Sequence, residues 1–139
     1  MIFQSERSKL RSMKTLILIA FGGALGALSR HGVSVGFMRL VGPGFPYATI
    51  AVNIFGSFLM GCLAGYFLQN GVSSQPIKLF LTVGFLGAFT TFSTFSLDTI
   101  TLFERGEVMP ALSYVLASVF LSVFGLWLGF FLFKGGVPS

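Results

Sequence analysis

The sequence predicts an all-α integral membrane protein with four transmembrane helices per chain, and its composition carries that prediction. Hydrophobic residues make up 54% of the 139 residues, whereas charged residues make up only 9%. Soluble domains are typically about one-quarter charged. The apolar residues also fall into four long segments, as helices that cross a hydrocarbon core about 30 Å thick require.

The excess of basic residues belongs to the membrane flanks. The net charge is +5, and four basic residues precede the first apolar segment: Arg7, Lys9, Arg11 and Lys14. Basic residues beside a span are typical of membrane proteins. Because the remaining basic residues are scattered, the sequence predicts no nucleic-acid partner.

The chain divides into a polar N-terminal extension, residues 1–12, and a single four-helix membrane domain, residues 13–139. We expect spans at about residues 15–35, 46–69, 76–103 and 110–133. Prolines 46, 76 and 110 fit the first helical positions of the last three spans. A basic start before an apolar stretch also occurs in signal peptides, but three further spans favour a membrane-embedded first helix.

The third span is predicted to be a helix broken in mid-membrane that lines an ion path. As one helix, it would be about 42 Å long, which exceeds the hydrocarbon core. Gly84 and Gly87 weaken the helix, and nearby hydroxyls can satisfy the freed backbone groups: Thr90, Thr91, Ser93 and Thr94. Carbonyls released by such a break suit a hard monovalent cation.

Polar and small residues recur every four positions on two other spans. The stripe on span 2 comprises Thr49, Asn53, Ser57, Gly61 and Gly65, and the stripe on span 4 comprises Tyr114, Ser118 and Ser122. Asn53 needs hydrogen bonds inside the bilayer, and both a pore role and a helix-joining role remain open for it. The three hydroxyls in register favour a polar track.

Arg30 lies near the far end of span 1, where it either faces an anion at a vestibule or snorkels as a flank residue. His31 is expected to be interfacial, and Asp98 to be hydrogen-bonded near an interface. One cysteine, Cys62, excludes an intrachain disulfide. The sequence offers no nucleophile–base pair, metal-ligand cluster or phosphate loop, so it does not predict an enzyme.

Positive charge is balanced between the two sides of the predicted membrane domain. If Met13 is the true start, one side has Lys14, Lys78 and Lys134, and the other has Arg30, Arg39 and Arg105. With the N-terminal extension, a preference for one orientation rests on Arg7, Lys9 and Arg11. This balance gives the positive-inside rule little to act on and predicts insertion in both orientations. Four spans are also few to enclose a path, which favours an antiparallel dual-topology homodimer.

The polar groups within the spans suit a small anion, because they are mainly hydroxyl and amide donors. The ring edges of Phe92 and Phe95 could also contact an anion, since the edge is the positive part of the aromatic quadrupole. The chain has 18 phenylalanines, and the pattern alone favours packing for this pair. Both interpretations therefore remain open from the residues.

Three segments of the sequence resemble the Fluc (CrcB-like) fluoride channel family. They are residues 22–30 (GGALGALSR), 51–57 (AVNIFGS) and 84–95 (GFLGAFTTFSTF), within a resemblance that extends from about Met13 to Phe133. The chain departs from the family pattern at Ala88, where a second glycine is frequent, and at His31, where a tyrosine is frequent.

The resemblance implies a dual-topology homodimer, in contact with membrane lipid, with two fluoride pores that each use both subunits. It implies that Phe92 and Phe95 are the pore phenylalanines, that the amide of Asn53 presents fluoride, and that Tyr114, Ser118 and Ser122 form the hydroxyl track. It also implies Arg30 at a vestibule. A structural Na⁺ on the two-fold axis would be held by the backbone carbonyls of Gly87 and Thr90.

The implied function is passive export of fluoride across the bacterial plasma (inner) membrane. Neutral hydrogen fluoride crosses lipid and ionises in the cytoplasm, and a fluoride-selective channel lets the trapped anion leave. The alternative is a small dual-topology multidrug or cation exporter, which would need an embedded carboxylate that span 1 lacks. A non-transporting assembly subunit is the second alternative, and it would leave the third-span break unexplained.

Overall fold

The computed structural model describes residues 2–71 and 74–135, and within these ranges the side chains of residue 10 and of residue 12 onward. Every secondary-structure element of these residues is a helix. Three long helices are α1 (Ile2–Val41), α2 (Tyr47–Asn70) and α6 (Val108–Phe133). Between α2 and α6 lie α3 (Gln75–Leu79), a π-helix (Phe80–Leu86), α4 (Gly87–Phe89) and α5 (Phe92–Glu104).

Four helical stretches are long and apolar enough to cross a membrane. They are Ser12–Val41, Tyr47–Asn70, Gln75–Glu104 and Val108–Phe133. The prediction of an all-α chain with four membrane-spanning helices is therefore confirmed. The third stretch, called span 3 below, is assembled from α3, the π-helix, α4 and α5.

The first helix is longer than predicted at both ends. It begins at Ile2, so the polar extension continues the helix, and it ends at Val41 rather than near residue 35. Gly32 and Gly36 lie inside α1 because a single glycine costs a helix only about 1 kcal/mol. The helix stops at Gly42, whose φ of 80° suits a residue without a Cβ and whose N–H donates to the Met38 carbonyl.

The backbone of span 3 leaves the helical conformation at Thr90 and Thr91. Their φ and ψ angles are −78° and 157°, and −153° and 118°, respectively. Gly84 lies in the π-helix, and Gly87 is helical, with φ −62° and ψ −33°. The extended residues therefore follow the glycines. Gly84 serves helix packing instead, since a Cβ there would come within 2.8 Å of the Ile19 carbonyl oxygen.

Glycines bring the helices into close backbone contact in two pairs of elements. A Cβ on Gly61 or Gly129 would collide with the Leu126 or Phe58 carbonyl of the facing helix, so α2 and α6 touch along their backbones. A Cβ on Gly22 would lie 2.6 Å from the Phe80 carbonyl, which joins α1 to span 3 in the same way. Such contacts are typical of helices that associate in lipid.

A cluster of fully buried side chains lies where α2, α5 and α6 meet. Leu102, Ala111 and Tyr114 form this cluster, and Phe45 and Phe95 pack against it. Large apolar side chains remain exposed on all four spans, among them Leu28, Phe55, Leu97 and Phe120. An exposed apolar surface of this extent fits contact with lipid or with another membrane-embedded chain.

Candidate functional site

The candidate site is a cavity of about 300 Å³ between α2, the extended Thr90–Thr91 segment, α5 and α6. Its lining is Asn53, Ser57, Thr90, Thr91, Phe92, Phe95, Ser118, Val119, Ser122 and Val123. The structure thus brings together five of the six predicted pore residues from three separate spans, together with Thr90 of the predicted cation site. None of these described lining residues is ionisable, so the cavity offers hydroxyls, an amide and aromatic rings.

Asn53 of α2 holds the extended segment with two hydrogen bonds. Its Nδ2 donates to the Thr91 carbonyl at 3.0 Å, and its Oδ1 accepts from the Thr91 N–H at 2.7 Å. A side-chain amide matches a peptide group in this way, so Asn53 replaces helical bonds that Thr91 does not make. Nδ2 carries two N–H donors, and one of them serves Thr91. The side chain therefore joins elements and lines the cavity at once.

Thr91 also starts α5 at the cavity wall. Its Oγ1 accepts from the Thr94 N–H at 3.1 Å and donates to Thr94 Oγ1 at 3.0 Å. Threonine is a preferred N-cap residue because its hydroxyl satisfies one of the free N–H groups of the first turn. The positive end of the α5 dipole consequently lies beside the cavity, where it favours negative charge.

Two phenylalanine rings form one side of the cavity. The centroids of Phe92 and Phe95 are 5.4 Å apart, with an angle of 44° between the ring planes. Phe95 also contacts Tyr114, at a centroid distance of 5.4 Å. Phe92 is 78% exposed, so its ring lies at the open side of the cavity within a single chain. A ring in that position is available to a ligand or to a second chain.

The hydroxyl oxygens of Ser118 and Ser122 are buried and have no hydrogen-bond partner among the described residues. Hydroxyls in membrane helices usually donate to the carbonyl four residues earlier. Hydroxyls that do so here include those of Ser34, Thr82, Thr90, Ser96, Thr99 and Thr101. Because an unpaired buried hydroxyl is costly, the two serines are the polar groups of the lining best suited to bind a ligand.

Tyr114 lies beyond the cavity lining and binds Asp98. Its hydroxyl donates to Asp98 Oδ2 at 3.0 Å, and the Thr49 hydroxyl donates to the same oxygen at 2.7 Å. Asp98 is hydrogen-bonded, as predicted. The four-residue spacing did not reveal that the stripes of spans 2 and 4 converge on this carboxylate. Thr49 and Tyr114 begin those stripes, and that shared starting position was the available signal.

Arg30 reaches the extended segment from α1. Its Nη1 donates to the Thr90 carbonyl at 3.4 Å, and the side chain lines a cavity of about 190 Å³ together with His31, Thr91 and Thr94. Arg30 therefore places a positive charge on the side of the Thr90–Thr91 segment that faces α1. The side chain is half-buried, and its guanidinium contacts the backbone of span 3.

The carbonyls predicted to hold a cation lie where span 3 changes direction. The Thr91 N–H, which would donate to the Gly87 carbonyl in a continuing helix, donates to Asn53 instead. This change frees the Gly87 oxygen from its helical donor. The Thr90 carbonyl accepts a long hydrogen bond from Arg30 Nη1. Among the described residues, no group of three or more His, Cys, Asp or Glu could hold a metal ion.

Comparisons with known proteins show the family of the chain. The model of the family described as CrcB-like protein, Camphor Resistance (CrcB), matches residues 17–130. The chain is 48% identical over 120 residues to the fluoride-specific ion channel FluC of Rhodopseudomonas palustris, covering 86% of this chain and 97% of that protein. It is 47% identical over 120 residues to the FluC of Mesorhizobium japonicum, covering 86% and 96%.

A third relative, the fluoride-specific ion channel FluC of Caulobacter vibrioides, is 47% identical over 118 residues, covering 84% of this chain and 93% of that protein. These matches confirm the resemblance predicted from the three sequence segments. The chain is a multi-pass membrane protein and belongs to the CrcB-like (Fluc) family.

Proposed function

We propose that the chain forms a fluoride-specific passive ion channel, which exports cytoplasmic fluoride and so reduces fluoride toxicity. The observation that carries the proposal is the cavity in which Phe92, Phe95 and Asn53 meet the unpaired hydroxyls of Ser118 and Ser122. These groups offer donors and ring edges to an anion without a fixed positive charge that would trap it. The relatives are named ion channels, which are not enzymes.

The channel is an antiparallel dual-topology homodimer in the bacterial plasma (inner) membrane. Two features support this assembly: positive charge is balanced between the two sides, and the cavity is open where Phe92 is 78% exposed. A second copy placed there would complete each of two pores. Span 3 is then a helix broken in mid-membrane, and Arg30 lies at a vestibule of the pore.

Na⁺ on the two-fold axis is part of the proposal. Gly87 and Thr90 of each copy would supply the carbonyl oxygens, and the released Gly87 oxygen supports their fit to a hard cation. The ion would neutralise carbonyl dipoles that meet at the interface. Replacing Na⁺ with N-methyl-D-glucamine throughout purification is expected to weaken dimer assembly, measured by size-exclusion chromatography. Unchanged assembly and flux would remove Na⁺ from the account.

Fluoride efflux from liposomes that contain only the purified protein tests the function. A passive channel releases fluoride with a proton ionophore present and no proton gradient, whereas an exporter of the alternative class needs that gradient. Span 1 contains no carboxylate from Ser12 to Val41, and Asp98 is bound by Thr49 and Tyr114. These residues favour the channel. Loss of efflux when the gradient is collapsed would favour the exporter.

A further inference from the structure

A second cavity, of about 320 Å³, lies under the loop that joins α1 to α2, and the anion site does not account for it. The loop residues Gly42–Pro46 cover it, and Asp98, Leu102 and Arg105 of the α5 region form the facing wall. Below we call it the loop cavity. Within the described part of the chain, Asp98 and Arg105 are the charged residues in its lining.

The loop cavity is related to the anion site through the cavity that contains Arg30, which shares Thr91 with the lining of the anion site. Ser34, Thr49 and Thr94 line both the loop cavity and the cavity that contains Arg30. Asp98 binds Tyr114, and the Tyr114 ring contacts Phe95 in the wall of the anion site. An ion that enters beneath the loop would therefore meet the Asp98 carboxylate before it reaches the phenylalanines.

The charge of Asp98 opposes the entry of an anion. Two hydroxyls donate to its Oδ2, that of Thr49 at 2.7 Å and that of Tyr114 at 3.0 Å. Arg105 carries the opposite charge in the same cavity, and its Nη1 donates to the Gly44 carbonyl at 3.2 Å. That bond keeps the guanidinium beside the loop. With Arg105 the two charges sum to zero, and without it the lining would be negative.

We propose that Arg105 makes the loop cavity an entrance for fluoride by offsetting the charge of Asp98. This inference rests on the proposed function, because the anion is the one that the channel carries. Charges that line a cleft change the local concentration of a charged substrate and its entry rate, and added salt reduces the effect.

The test compares the fluoride efflux of Arg105 variants with that of matched Arg39 variants. Arg39 is exposed in the last turn of α1, beside the same loop, but does not line the cavity. In low salt, Arg105→Gln is expected to slow efflux about twofold to fivefold, as partly exposed charge pairs typically give, and Arg105→Glu to slow it further. Per assembled dimer, Arg105→Lys, Arg39→Gln and Arg39→Glu should stay near the wild-type rate.

The dependence of efflux on ionic strength distinguishes an electrostatic role of Arg105 from a structural one. Raising potassium gluconate from about 0.02 M to about 0.5 M should bring the Arg105→Gln rate close to wild type, because the Debye length becomes shorter than the cavity. A deficit that salt leaves unchanged would mean that Arg105 only positions the loop. Equal effects of Arg105→Glu and Arg39→Glu would also overturn the inference, as would a large loss in Arg105→Lys.

The outcomes for the two proposals differ. Wild-type protein without fluoride efflux refutes the proposed function itself. Wild-type efflux that no Arg105 variant changes refutes only the role of Arg105. Size-exclusion chromatography of each variant shows whether it assembles. If Arg105→Gln does not assemble, the efflux of Arg105→Lys still tests the proposal, because a large loss there would overturn it.

Discussion

At the scale of single residues, the two rings and two hydroxyls of the anion site have different surroundings. Phe92 and Phe95 contact each other at the open side of the cavity. Ser118 and Ser122 lie on α6, with buried oxygens that bind no described residue. A dehydrated anion needs donors in place of its water, and these four side chains can supply ring edges and O–H groups.

Replacing either phenylalanine with isoleucine should slow fluoride efflux. Phe92→Ile and Phe95→Ile retain an apolar side chain but remove the ring edge, and losing an interaction of about 1.4 kcal/mol slows passage about tenfold. Phe120→Ile, at an exposed position on α6 outside the cavity, is the control. The measurement is the initial rate of fluoride efflux from liposomes, with dimer content checked by chromatography. Wild-type rates in both variants would reduce the rings to packing.

Ser118→Ala and Ser122→Ala should have opposite effects on flux and on stability. Removing a hydroxyl that has no protein partner takes away a buried polar group, so thermal stability in detergent should stay the same or rise. Efflux should fall about fivefold, the ratio for one hydrogen bond of about 1 kcal/mol. Ser113→Ala, on the exposed side of α6, should alter neither quantity. A serine variant that is less stable and carries fluoride normally would contradict this account.

At the scale of elements, span 3 depends on one side chain of another helix. Asn53 binds both backbone groups of Thr91, and Thr91 in turn caps α5. The extended segment is thus held by α2, and its position determines where Phe92 begins the next helix. The same segment accepts the Arg30 side chain from α1 through the Thr90 carbonyl.

Asn53→Ala should destabilise the protein as a whole. The substitution leaves the N–H and C=O of Thr91 unpaired, which costs roughly 2 to 4 kcal/mol in total. The thermal midpoint in detergent should therefore fall by about 10 °C. Asn70→Ala is the control, since Asn70 is exposed and binds the Tyr66 carbonyl of its own helix. Equal midpoints for the two variants would show that Thr91 does not depend on Asn53.

The elements also show what the sequence could and could not predict. Hydrophobicity and proline positions predicted four spans, because lipid requires long apolar helices whatever their partners are. Gly84 and Gly87 were expected to weaken the helix, with the break between Gly87 and Thr90, and the extended residues are Thr90 and Thr91. The cause is a contact between helices, because Asn53 of α2 forms hydrogen bonds that replace the helical bonds of Thr91. Gly84 instead packs closely against the backbone of α1. Sequence periodicity carries no information on such partners.

The candidate site, too, was predictable only in part. Four-residue spacing placed Asn53 on one face of α2, and Ser118 and Ser122 on one face of α6, and the structure brings all three to one cavity. The spacing did not show that Tyr114 and Thr49 both bind Asp98, since that contact depends on where the two helices start relative to α5. Helix ends are set by caps and loops and are the hardest part to predict.

At the scale of the whole molecule, charge balance and the open cavity favour insertion in two orientations. Within residues 13–139, Lys14, Lys78 and Lys134 oppose Arg30, Arg39 and Arg105, so the membrane domain itself prefers neither side. A reporter fused to the C-terminus should be found on both faces of the membrane in about equal amounts. Converting Ser12 and Thr15 to lysine should bias the reporter to one face and lower fluoride efflux, because antiparallel pairs become fewer. A reporter confined to one face in the unaltered chain would contradict dual topology.

Selectivity for fluoride over chloride tests the central claim most directly. Liposomes that contain the purified protein are loaded with equal concentrations of both anions, and ion-selective electrodes record the two effluxes from the same preparation. The cavity of rings, amide and unpaired hydroxyls predicts fast release of fluoride and chloride release no faster than from protein-free liposomes. Absence of fluoride efflux, or equal efflux of chloride, would contradict the account.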